Sequence, residues 1–136
     1  MPGSSPPLRT VLGAFDRLVE VGIGERTDVA ASLADHGVSV TGTDVRERNV
    51  PEGVEFIVDD VTNPDRSVYA SAEAIYALRL PPELQGPTAA LAASVEVPLY
   101  FTTLGGDPVV IEAEPQTIQE GTLFVHRPDS AGPRSQ

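Results

Sequence analysis

Two glycines and two acids are the residues best placed to do chemistry. Glu20-Val21-Gly22-Ile23-Gly24 closes a short apolar run, Arg17 to Val21, and leads straight into a helix-like segment. Glycine admits positive φ and carries no side chain, so a ligand can approach the backbone closely. The free N–H groups at the start of the following helix favour an anionic or polar ligand group. Asp44 follows about twenty residues later, a spacing at which a carboxylate accepts hydrogen bonds from ribose hydroxyls. Together they predict a nucleoside-cofactor pocket. A dinucleotide fingerprint asks for a third glycine three residues after the second, and Thr27 stands there. Glu20, two residues before the first glycine, also suits a dinucleotide poorly.

Further polar groups end the later strand-like runs. Phe56-Ile57-Val58 enters Asp59-Asp60-Val61, and Asp60 either meets a ligand or caps its own loop. Arg79-Leu80-Pro81-Pro82-Glu83 follows the next apolar run. Arg79 is suited to a carboxylate or phosphate, and equally to a local acid; Glu83 falls in the first turn of a helix. Thr102, Thr103 and Asp107 either border the same rim from the fifth strand or only shape a loop. Other chemistry is sparsely equipped. There is no cysteine, and the two histidines, His36 and His126, stand far apart, so no metal site is expected. His36, beside Gly37, suits a helix-end cap. Without lysine there is no phosphate loop, and no serine sits in a Gly-x-Ser-x-Gly elbow.

The elements that must position these residues alternate. Strand-like runs at Arg17–Val21, Val38–Thr43, Val54–Val58, Ala74–Leu78 and Leu99–Thr103 are separated by helical patterns at Thr27–His36 and Pro82–Val95. That alternation predicts an α/β, Rossmann-like three-layer sandwich with a mostly parallel sheet. Val109–Ala113 and Thr122–His126 are expected to pair as a C-terminal antiparallel hairpin. Right-handed crossovers bring the carboxyl ends of the parallel strands to one rim, where such sheets bind ligands.

The 136 residues suffice for one domain, expected over 9–127, with a flexible leader at 1–8 and a flexible tail at 128–136. No apolar run approaches the length of about 18 residues needed to span a membrane, and the start lacks a secretory pattern; a cytoplasmic address is expected. Twenty acidic residues against nine basic ones give a net charge of -11, and every basic residue is arginine. So negative a field repels a phosphate backbone and makes a nucleic-acid partner unlikely. The lysine-free, acidic composition resembles that of proteins from salt-loving archaea, in which salt screens self-repulsion.

Glu20, Gly22, Gly24 and Asp44 resemble, position by position, the pattern of class I S-adenosylmethionine-dependent methyltransferases. Arg26 replaces the third glycine of that pattern. The resemblance implies that Asp60 contacts the adenine amino group. Leu80-Pro81-Pro82-Glu83 stands where amino-group methyltransferases keep an Asp/Asn/Ser-Pro-Pro-aromatic motif; the backbone shape matches, whereas Leu80 cannot hydrogen-bond and Glu83 offers no aromatic face. From about Val11 to Pro98 the chain resembles a small, uncharacterised archaeal (UPF-type) protein family with a truncated methyltransferase-like fold. Three segments carry this: Val19-Glu20-Val21-Gly22-Ile23-Gly24, Asp59-Asp60-Val61-Thr62-Asn63-Pro64 and Ile75 through Leu84. Resemblance to that family implies the fold and an archaeal source and no established activity; the methyltransferase pattern implies S-adenosylmethionine or another small adenosine-type ligand and, if the protein is catalytic, a minimal methyltransferase with catalytic residues unknown. The alternative is a non-catalytic nucleoside-binding or protein-interaction module. So short a chain would need a homodimer or another protein partner to cover the acceptor.

Overall fold

The computed structural model describes residues 4–128. The first three residues of the expected leader and residues 129–136 of the expected tail lie outside the described residues. The boundary expected at residue 9 falls inside a helix. α1 (Leu8–Leu12) buries Leu8 and Leu12. Its start is tied to the distant hairpin turn: Leu8 N donates to Glu120 Oε1 (2.9 Å), and Gln119 N donates to Pro6 O (2.9 Å).

A central strand flanked by layers on both faces reads as a continuous apolar run, and β1 (Arg17–Val21) does so. Leu18 packs toward one face, Val19 and Val21 toward the other, and every residue after Arg17 is buried. β2 (Ser39–Asp44) and β3 (Val54–Val58) extend the sheet on one side, and β4 (Ala74–Ala77) and β5 (Leu99–Phe101) on the other. α2 (Asp28–Asp35) buries Ala30 and Leu33 on the α1 side of the sheet. It ends as its sequence predicts. Gly37 adopts φ 92°, Gly37 N and Val38 N close on Ala34 O and Leu33 O, and the His36 Nδ1 lies 2.7 Å from Ser32 O. α3 (Pro82–Ser94), opened by Pro82, covers the opposite face through Ala89, Leu91 and Ala92.

The seven-stranded sheet runs β3-β2-β1-β4-β5-β7-β6. Its first five strands are parallel, and β6 (Glu114–Ile118) and β7 (Gly121–His126) form an antiparallel hairpin whose β7 pairs with β5. The expected α/β sandwich and its hairpin are present, but the hairpin's first strand is displaced. It is Glu114–Ile118 and not Val109–Ala113. Ile118 pairs with Gly121, so only Gln119 and Glu120 make the connection, and the strand must be the residues just before them. Pro115 disguised it. A proline is excluded from a central strand but accepted at an edge, and β6 is an edge. Val109, Ile111 and Ala113 instead pack against the α3-side core.

This sandwich is thin at one end. Residues 45–53 form a loop, and between β3 and β4 there is a single 3-10 turn, Arg66–Val68. Helices do not cover the β2–β3 end of the α3 face, and Val45 (62%), Ile57 (39%) and Val58 (54%) stay exposed. Among the described residues no helix is long and apolar enough to cross a membrane.

Candidate functional site

Strand order reverses at β1 and β4, which run side by side with β2 and β5 on their outer flanks. Open α/β sheets bind ligands at the carboxyl ends of the strands around such a switch point. The glycine turn lies there. Gly22 (φ 70°) and Gly24 (φ 58°) both occupy the left-handed region. Gly22 N and Ile23 N donate to Thr43 O at 2.9 and 3.0 Å, and Gly24 N donates to Asp44 Oδ2 at 2.8 Å. A Cβ on Gly22 would meet nothing within 4 Å, so the outer side of the turn is open.

The inner side is closed. Ile23 is buried, and a Cβ on Gly42 would stand 2.6 Å from its Cδ1 and 3.2 Å from its Cβ. Gly42 in β2 is therefore what seats the turn, a role hidden in a segment that reads simply as β-branched. Gly42→Ala is expected to destabilise the protein by about 1–3 kcal/mol by overpacking. Gly105→Ala, where the added methyl meets nothing within 4 Å, should stay within about 0.5 kcal/mol of the parent. Urea unfolding of both variants checks this, and equal stabilities would refute the seating role.

Asp44 holds its position through three neighbours. Besides Gly24 N, it accepts from Val45 N on Oδ1 (2.7 Å), and Arg48 Nε lies 3.4 Å from Oδ2. Arg48 Nη1 also lies 3.9 Å from Glu25 Oε2. The Asp44–Arg48 contact is an attraction of charges without a hydrogen bond, because the buried Arg48 Nε has no acceptor in suitable geometry. Arg48 thus lies across the carboxylate with an N–H left over.

Glu20 is fully buried below the turn. Its Oε1 accepts from Tyr76 OH at 2.8 Å, a contact set by the β1–β4 register, which places Glu20 opposite Tyr76. Burial pushes its carboxyl up to about 8; the Tyr76 hydroxyl opposes that rise and the Asp28 charge adds to it. The same desolvation, with Glu20 alongside, raises the Tyr76 phenol.

The remaining predicted residues are distributed unevenly. Glu20, Gly22, Gly24 and Arg79 line one cavity of about 570 Å³, together with Arg26, Asp28 and Arg48. Asp44 adjoins it through Gly24 and Arg48. Asp60 is not among the lining residues. Exposed beyond β3, its Oδ1 accepts from Thr62 N (2.9 Å) and Thr62 Oγ1 (2.7 Å), bonds that hold its carboxyl below the ordinary range. Asp59 is the structural member of the pair, accepting from Tyr69 OH (2.6 Å) and Asp65 N (2.9 Å). Pro81 and Pro82 shape the entry to α3, and Glu83 is exposed in its first turn. Leu80 is buried. Among the described residues, three arginines line this cavity: Arg26, Arg48 and Arg79. The sequence alone assigns no role to Arg48, Asp28 or Tyr76. Arg48 follows Asp44 by four residues, a spacing that could have flagged it; the Tyr76 contact needed the strand register.

A family model described as "Uncharacterised protein family (UPF0146)" matches residues 8–129. A UPF0146 protein of Halobacterium salinarum is 53% identical over 123 residues, 90% of this chain and 95% of that protein. Among solved structures, an RNA methyltransferase from Salinibacter ruber in complex with S-adenosyl-L-homocysteine is similar with a TM-score of 0.62 at 17% identity, over 89% of this chain and 88% of that one. The 1,6-didemethyltoxoflavin-N1-methyltransferase of Burkholderia thailandensis gives a TM-score of 0.53 at 18% identity; 90% of this chain is covered but only 58% of that enzyme. The chain thus spans less than two thirds of that longer protein. At such identities the likeness establishes the fold, a truncated methyltransferase-like Rossmann sheet.

Proposed function

The chain belongs to the UPF0146 family of archaeal proteins, and on that premise we propose that its glycine-turn cavity binds S-adenosylmethionine or a closely related adenosine ligand. The observation that carries the reading is the juxtaposition of an outward-open Gly22–Gly24 turn, the Asp44 carboxylate bonded to that turn, and the buried Glu20 beneath it. A cavity of about 570 Å³ is of the size that small-molecule sites have.

In this reading Asp44 receives the ribose hydroxyls as Arg48 moves aside, and the bare backbone of Gly22 and Gly24 allows close approach. Glu20, once ionised, faces a cationic group of the ligand. Asp60 turns from Thr62 toward the adenine amino group. Arg26 narrows the place where a third glycine would have left space. Bound S-adenosylmethionine supplies a methyl group activated by its sulfonium, and the protein's contribution is position and exclusion of water. A dimer partner or another protein supplies the cover over the methyl acceptor. The acidic, lysine-free composition, shared identity with a Halobacterium protein and screening by salt support work in concentrated salt.

A second reading, a non-catalytic nucleoside-binding module, is favoured by the proline pair. Leu80 there is 3% exposed and has no polar side chain to orient an acceptor. Calorimetric titration in high salt with S-adenosylmethionine, S-adenosylhomocysteine and NAD tests the common claim. Saturable heat is expected for the first two, with NAD at least about tenfold weaker. Silence from the first two sinks the pocket; binding without methyl transfer to any cellular fraction selects the non-catalytic reading.

A further inference from the structure

A second cavity, of about 560 Å³, adjoins the first, and the two share Asp28, Val29, Leu78 and Arg79. Its floor is apolar, with Leu8, Ile118 and Phe124 contributed by α1 and the C-terminal hairpin, and Thr103 and Thr122 place hydroxyls at its edge. Two carboxylates, Asp28 and Glu120, also line it, and Glu120 is engaged by Leu8 N. Among the described lining residues Arg79 is the one cation.

Arg79 stands there against its backbone's preference. Its φ is 56°, in the left-handed region that disfavours a side chain, and its N–H donates to Thr102 Oγ1 at 2.8 Å. Glycine would satisfy the same backbone without strain. Yet the position carries a guanidinium, exposed at the meeting of the two cavities and without an ion pair to any described residue. A side chain kept at a strained backbone position beside two cavities points to a use for that side chain outside the fold.

We infer that the second cavity binds a small organic anion, a carboxylate or phosphate monoester on an apolar body, with Arg79 as its anchor. Taking this anion as the methyl acceptor rests on the proposed reading of the first cavity; the anion site itself does not. A polyanion such as RNA is repelled by the net charge of -11.

The test uses 15N-labelled full-length protein, titrated with benzoate, phenyl phosphate, inorganic phosphate and the neutral benzamide. Benzoate or phenyl phosphate should shift the Thr103, Thr122 and Phe124 amides saturably, the tighter of the two identifying the anionic group, and benzamide should bind at least about tenfold more weakly. Arg79→Gly should weaken the anion at least about tenfold while raising the melting temperature by roughly 4 °C through relief of strain. Thr122→Trp, at a residue that lines the second cavity and not the first, should block the anion and keep S-adenosylhomocysteine affinity within about twofold. Equal binding of benzamide and benzoate overturns the inference, as does unchanged anion affinity in either variant or a response to inorganic phosphate alone. No anion binding by the unsubstituted protein, with S-adenosylhomocysteine still bound, refutes this site only. An intact anion site without S-adenosylhomocysteine binding refutes the first cavity's reading only.

Discussion

Between about pH 5 and pH 8 the protein is expected to lose on the order of 4 kcal/mol of stability, and Glu20→Gln is expected to abolish that loss. The folded protein holds the Glu20 proton up to about 8, whereas in the unfolded chain the carboxyl titrates near 4.5. Below the unfolded value both states carry the proton and the site is neutral to folding. Above it the unfolded chain releases its proton and the folded state does not, so stability falls by roughly 1.4 kcal/mol per pH unit and levels off near the folded value. Asp60, Asp65 and Glu73 are held low by hydrogen bonds. Their contributions have the opposite sign and fade in acid, below the Glu20 window. Glutamine keeps an acceptor for Tyr76 OH; alanine would leave that hydroxyl buried and unpaired, with a void beside it. Urea unfolding across this range, in constant high salt, decides the matter. A flat wild-type profile would mean that Glu20 is ionised in the fold. If a cationic ligand group faces Glu20, the proton must leave on binding, and S-adenosylhomocysteine affinity should rise roughly tenfold from pH 6 to pH 7.

Asp44→Ala is expected to cost about 3 kcal/mol of stability and at least about a hundredfold in S-adenosylhomocysteine affinity. The first effect belongs to the protein alone. Gly24 N and Val45 N lose an acceptor at 2.8 and 2.7 Å, and Arg48 loses the carboxylate 3.4 Å from its Nε. The second belongs to the proposed ligand, whose ribose hydroxyls would lose a charged acceptor. Asp44→Asn separates them: its amide oxygen still serves Gly24 N, so most stability returns while affinity stays low. Thermal unfolding and calorimetry on both variants give the comparison. Affinity unchanged in Asp44→Ala would remove this residue from the site.

Much of the architecture was legible because it is local. The glycines at 22, 24 and 37 all adopt positive φ, as turn and cap chemistry require. Val54–Val58 is a strand with those bounds, and Arg17–Val21 likewise. Where local preference and context conflict, the reading slipped. Glu114-Pro115-Gln116-Thr117 has the composition of a loop, and only its place at the sheet edge makes it a strand. Within Asp59-Asp60, the sequence finds no work for Asp59, which pins Tyr69 and Asp65.

The residue order by itself determined the alternation of elements, the glycine turn and the strand-ending acids, because backbone conformation answers to side chains a few positions away. Tertiary structure decided the rest of the site. Glu20 became a buried acid because the β1–β4 register sets it against Tyr76, 56 positions away, and desolvation depends on everything packed around a group. Arg79 became a candidate anchor because its backbone is held by Thr102, 23 positions on, between two cavities. The glycine turn itself stays open to a ligand on one side and is seated on Gly42 on the other. Such contacts follow from how the strands align, which no local pattern encodes.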